Sequence, residues 1–148
     1  MTKNEFLVQL IQFGNIPYIW GGENPAVGLD CSGLAQKVLA LLHLDPPGDQ
    51  TADGLRRHFS DEVNGDVIES RFIDDYAIGD LLFFGKTDHA THITIYVGGG
   101  LMFEAAGGGS STTTVEIAKQ QRAYARVSRV DRRRDLIAVC RPHGMNLT

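Results

Sequence analysis

Two hydrophobic periods divide this chain. Up to about residue 60 the apolar positions recur at helical spacing; from residue 80 they alternate or run together as in strands. Residues 2–13 predict a helix, because Phe6, Leu7, Leu10 and Ile11 share a face, Thr2 and Glu5 have capping-box spacing, and Gly14 can end it. Residues 17–30 carry Pro17, Gly21, Gly22, Pro25 and Gly28 and predict a loop. From Cys31 to about Leu44 the stripe Leu34, Val38, Leu41 and Leu42 predicts a second helix, with Asp30 as its N-cap and Pro46, Pro47 and Gly48 as its stop. A short third helix is expected over residues 51–59. Then "DLLFF", "HITIYVG", "LMFEAA" and "LIAVCR" read as strands, and "VGGGL" as a hairpin turn between the second and third of them. Helices first and strands later predict an α+β fold, with N-terminal helices packed on a mainly antiparallel sheet.

Composition narrows the class. The chain has 148 residues, 43% hydrophobic and 22% charged, which suits one soluble domain over residues 1–148. The formal net charge of −4 excludes general attraction to nucleic acid. No apolar run is long enough to span a bilayer. "MTKNEFLVQLIQFG" lacks a basic start, an apolar core and a small-residue cleavage site. The expectation is a protein made in the cytoplasm, and either kept there or exported by a route that reads no N-terminal signal. Cys31 and Cys140 lie too far apart for a disulfide scaffold or a zinc ligand pair, so both read as free thiols.

Cys31 is the candidate for chemistry. A buried, inert cysteine opening a helix is the common case. A thiol at a helix N-terminus, however, faces unpaired N–H groups and the positive end of the helix dipole, which favour thiolate. The glycine-rich loop upstream lets a substrate backbone come close. A cysteine nucleophile needs a base, and the base needs an orienter. Among five histidines, His43 ends a helix, His58 lies in a basic segment and His143 in the tail. His89 and His92 fall at the entry to the "HITIYVG" strand, and His92, directly before the alternating run, is the better base. Glu104 on the next strand can reach across to it; otherwise it is an edge-strand surface carboxylate.

These residues resemble the NlpC-type cell-wall peptidases, a branch of the papain-like cysteine peptidases. "PYIWGGENPAVGLDCSGLAQKV" resembles the nucleophile segment of that family. "IGDLLFF" resembles its Pro-Gly-Asp-Leu strand, with Ile78 where proline is usual, and "HITIYVGGGLMFEAA" resembles its histidine hairpin. The likeness runs from about residue 5 to 106. It implies a papain-like fold, with Cys31 as nucleophile, His92 as base and Glu104, where the family most often has histidine, as orienter. It implies an oxyanion role for Tyr18 beside the Cys31 N–H, and substrate contacts for Asp30, Ser32 and Trp20. Asp30 has an equal alternative as helix N-cap, and Trp20 reads first as loop packing. The implied substrate is a peptidoglycan stem peptide, cut between γ-D-glutamate and a diamino acid, with no cofactor and no metal.

The last third departs from that pattern. "GGGSSTTTVEIAKQQ" reads as a flexible loop entering a polar segment. "RAYARVSRVDRRR" holds Arg122, Arg126, Arg129, Arg132, Arg133 and Arg134, which read first as a solvated face and second as a contact for anionic wall polymer or phosphate. With neither a leader nor a wall-binding domain evident, delivery by a phage tail or a secretion machine is the expectation. Two further functions fit the sequence: an amidase or acyl transferase on the same scaffold, and a structural tail component.

Overall fold

The computed structural model describes residues 1–148. Helix α1 (Lys3–Ile11) begins in the capping box expected of it: Glu5 N–H donates to Thr2 Oγ1 at 3.1 Å and Thr2 N–H to Glu5 Oε2 at 2.7 Å. The loop that follows carries a two-stranded ribbon, β1 (Glu23–Asn24) with β2 (Gly28–Leu29). Helix α2 (Cys31–Ala40) is shorter than its apolar stripe, and His43 just beyond it adopts the left-handed region at φ 58°. Helix α3 (Ala52–Ser60) is capped by the Thr51 side chain. The remaining strands and α-helix are β3 (Gly65–Val67), β4 (Leu81–Lys86), β5 (His89–Gly98), β6 (Leu101–Ala106), α4 (Val115–Gln121), β7 (Tyr124–Arg129) and β8 (Leu136–Pro142), with short 3-10 turns at Ile73–Asp75 and Val130–Arg132.

Six strands form one antiparallel sheet in the order β3-β8-β4-β5-β6-β7. Its two faces explain the apolar run in β4. Leu81 and Phe83 face the helices, in a core with Phe6, Leu34, Leu39, Leu55 and Phe103. Leu82 and Phe84 face the other way, against Tyr76, Tyr96, Met102, Val130 and Val139. A strand covered on both faces reads as continuous apolar sequence, and each buried phenylalanine contributes roughly 1.5–3 kcal/mol. The α+β arrangement, with N-terminal helices on an antiparallel sheet, is the one expected from the sequence. No helix is long and apolar enough to cross a membrane.

Two segments depart from their expected forms. The segment read as a flexible loop and polar tail contains α4, capped by the Thr114 side chain. The arginine-rich stretch contains β7, whose Ala125 and Ser128 are buried while Val127 and Arg129 are exposed. The two buried residues are small and lie on opposite faces of this edge strand, so no alternating apolar stripe marks it. Because β7 lies outside it, β6 is an interior strand, so Glu104 is buried rather than a surface carboxylate.

Candidate active site

The N-terminus of α2 is pinned from two sides. Asp30 Oδ1 accepts from Gly33 N–H at 2.7 Å and from Ser32 Oγ at 3.2 Å, and Oδ2 accepts from Gly21 N–H at 3.1 Å. The N-cap role of Asp30 is therefore met, and the same carboxylate ties the Gly21 turn to the helix. Gly33 permits the close approach: a Cβ there would lie 2.1 Å from the carbonyl oxygen of Gly22. Burial raises the Asp30 pKa against these bonds. Asp30→Ala is expected to lower the unfolding free energy by about 1–2 kcal/mol, read as a drop in the urea midpoint.

This cap presents Cys31 at the first position of the helix. Neither the Cys31 nor the Ser32 N–H has an acceptor within the chain, as the first turn of a helix leaves its donors free. The Cys31 sulfur lies 4.0 Å from the Thr91 carbonyl oxygen, one residue before His92. His92 belongs to β5, which begins earlier than expected, at His89. Its ring is mostly buried, and Nε2 stands 2.7 Å from Glu104 Oε1.

The charges follow from this geometry. Burial pulls the His92 pKa down, but interactions with Cys31 and then Glu104 outweigh it and raise it to about 9. Burial pushes the Glu104 pKa up, but hydrogen bonding to His92 leaves it below the ordinary carboxylate value. Glu104 is therefore the acceptor and His92 Nε2–H the donor, which leaves Nδ1 as the ring nitrogen open to the thiol. His89 pairs elsewhere: its exposed ring places Nδ1 3.5 Å from Asp53 Oδ2, on α3. Asp53 Oδ1 also accepts from Ala90 N–H at 2.8 Å and anchors the start of β5 to α3.

Two cavities meet at Cys31. The smaller, about 210 Å³, is lined by His92, Glu104, the Gly107–Gly109 loop and Arg133. The larger, about 390 Å³, is lined by Asp30, Ser32, Asp49, Thr51 and His89. Tyr18 and Trp20 border both. Tyr18 is buried and its hydroxyl has no partner within the chain; a Cβ on Gly108 would strike its ring at 2.2 Å, so the glycine loop holds the ring in place. Burial, followed by the Cys31 and Asp30 charges, raises the Tyr18 pKa and keeps the phenol protonated. Trp20 is 56% exposed, so its indole walls the cleft and is not packed beneath the loop.

Comparison with known proteins shows the family. The model of the NlpC/P60 family matches residues 14–129. The chain belongs to the NlpC/P60 family. It is 35% identical over 101 residues to the bifunctional muramidase/DL-endopeptidase CwlT of Bacillus subtilis, covering 66% of this chain and 27% of that protein. It is 33% identical over 102 residues to the murein DD-endopeptidase MepH of Escherichia coli, covering 66% of this chain and 34% of that one. The chain thus spans about a quarter to a third of the length of these relatives. Among solved structures it resembles RipD of Mycobacterium tuberculosis, described as a non-catalytic NlpC/p60 domain protein adapted to peptidoglycan binding. The TM-score is 0.66 at 18% identity, over 94% of this chain and 95% of that one. An NlpC/P60 fold alone therefore does not decide catalysis.

Cys31, His92, Glu104 and Tyr18 converge on one cleft, and Asp30, Ser32 and Trp20 line it. Sequence reasoning did not separate Arg133 from the other arginines. Arg122, Arg129, Arg132 and Arg134 are exposed, whereas Arg126 lies over the Tyr124 ring and Arg133 enters the cleft. It also missed the Asp53–Ala90 anchor, because a carboxylate in the first turn of a helix reads as an ordinary dipole partner.

Proposed function

We propose that this chain hydrolyses amide bonds in peptidoglycan stem peptides with Cys31 as nucleophile. One observation carries the reading: a buried histidine, bonded at 2.7 Å to a buried carboxylate, lines one cavity with a thiol at a helix N-terminus. A non-catalytic protein has no physical need for a buried ionic pair aimed at a cysteine, and such a pair adds little net stability.

The thiol proton passes from Cys31 Sγ to His92 Nδ1, and the thiolate attacks the amide carbonyl carbon. The oxyanion of the tetrahedral intermediate accepts from the Cys31 N–H and the Tyr18 hydroxyl. His92 returns its proton to the leaving nitrogen as the C–N bond breaks, and a thioester remains on Cys31. His92 then takes a proton from water, hydroxide adds to the thioester, and the thiol is released with a new carboxyl group. Glu104 holds the tautomer and stabilises the imidazolium throughout. Asp30, Ser32 and Trp20 meet the substrate along the larger wing.

Relatives named as DL- and DD-endopeptidases support peptidoglycan as the substrate class. The bond we propose joins γ-D-glutamate to the diamino acid. Mass spectrometry of fragments released from purified peptidoglycan tests this. New paired termini are expected with wild type and absent with Cys31→Ala. A larger, transferred product in place of a free carboxyl would make the chain an acyl transferase. No fragment from several wall types, with an alkylation rate at Cys31 no faster than a free thiol's, would overturn the enzymatic reading.

A further inference from the structure

We propose that Arg133 reads a free carboxylate on the leaving-amine side of the substrate, so that the preferred substrate is an amide of an amino acid whose own carboxylate is unmodified. The proposal rests on the hydrolase reading above and adds a specificity residue to it. Arg133 is the only lysine or arginine lining the smaller wing, where it shares the wall with Cys31, His92 and Glu104. Its guanidinium lies 5.0 Å over the Phe84 ring. Its Nε and Nη2 donate to the two Asp135 oxygens at 2.9 and 2.8 Å.

That arrangement fixes the plane of the fork and leaves Nη1 without an acceptor in the chain. A partly exposed ion pair with Asp135 adds little stability by itself, so it does not account for a guanidinium that both stacks on Phe84 and lines the catalytic cavity. An oriented guanidinium with a free edge is well suited to a planar carboxylate. Because Asp135 offsets its charge, discrimination comes from the directed hydrogen bonds rather than from net attraction.

The side of the scissile bond follows from the general acid. His92 must deliver its proton to the leaving nitrogen, and His92 and Arg133 line the same wing. The carboxylate read by Arg133 therefore belongs to the departing fragment. Arg133 lies beyond residue 129, where the family match ends.

The test uses full-length Cys31→Ala protein and isothermal titration with three peptides ending in a γ-D-glutamyl-diamino dicarboxylic acid. The acyl side is held constant. One peptide has both carboxylates of the leaving residue free, one is amidated at the α-carboxylate and one at the distal carboxylate. One of the amidations is expected to weaken binding at least ~10-fold, and the position affected names the carboxylate that is read. The same amidation should change binding less than ~2-fold in Cys31→Ala/Arg133→Gln, with Arg133→Lys restoring part of the discrimination. Indifference of Cys31→Ala to both amidations, failure to bind any of the three, or discrimination kept in the Arg133→Gln background would each overturn the proposal. Turnover of the same peptides by wild type is scored separately. Discriminating binding without turnover would sink the hydrolase reading and leave the carboxylate assignment standing.

Discussion

Cys31→Ala is expected to abolish amide cleavage, and His92→Ala to lower kcat by ~10⁴-fold or more, because a nucleophile and its base act as a unit. The two variants should differ in stability. Cys31 is half-buried at the first position of α2, alanine is a good helix former, and the Asp30 cap does not involve the sulfur. Its unfolding midpoint should stay close to wild type. His92→Ala instead leaves the buried Glu104 carboxylate without its 2.7 Å partner. An unpaired buried charge is strongly destabilising, and Glu104 would take up a proton to escape it. The expected result is a clear loss of thermal stability in His92→Ala that is largest above the ordinary carboxylate range. Parallel turnover assays and thermal unfolding of the two variants decide it. Turnover by Cys31→Ala at the wild-type rate would remove the mechanism.

The N-terminal half was legible because its local signals agree with its tertiary role. Thr2, Asp30 and Thr51 each cap the helix they precede, and the apolar stripes behind them face the sheet. "LMFEAA" is β6 residue for residue, and "DLLFF" holds the first four residues of β4, which starts at Leu81 and runs on to Lys86. The C-terminal third was not legible for the opposite reason. In β7 the buried residues are Ala125 and Ser128, one on each face, and neither gives an apolar signal strong enough to mark a strand among arginines. That omission also hid the environment of Glu104, because only the cover of β7 turns its strand from edge to interior. The pairing of Cys31 with His92 was legible from the place of His92 at a strand entry, and the resemblance assigned the roles. The electrostatics of the pair were not legible, since they depend on burial that only the assembled sheet supplies. Arg133 belongs to the same class: nothing in a run of three arginines says which one stacks on Phe84.

Glu104→Gln is expected to lower kcat/KM by about 10- to 100-fold, less than the loss of His92, and to move the alkaline limb of the pH profile to lower pH. Glutamine has the size of glutamate and keeps an oxygen that can accept from His92 Nε2–H, so the tautomer facing Cys31 survives. What disappears is the negative charge. Burial already pulls His92 down, and the interactions with Cys31 and Glu104 together lift it to about 9. Removing one of the two lifting partners lets burial bring the histidine back toward its ordinary range. The alkaline limb reports loss of the imidazolium proton that the leaving nitrogen needs, so it should fall with the histidine, while the Cys31 contribution keeps the shift partial. Stability carries the same sign. A histidine raised from 6.5 in the unfolded chain to about 9 in the folded one contributes stability fully below pH ~6.5, and this is lost as pH rises through about 9. The depressed Glu104 contributes above the ordinary carboxylate value, and its share is lost as pH falls. Wild type should therefore be most stable between these limits, and Glu104→Gln should show a shallower decline on the alkaline side. Rate profiles and unfolding midpoints measured from about pH 4 to 10 on both proteins test the two consequences together. An alkaline limb that stays in place in Glu104→Gln would mean that Glu104 does not govern the His92 proton during turnover, and the active site would then work as a Cys31–His92 dyad.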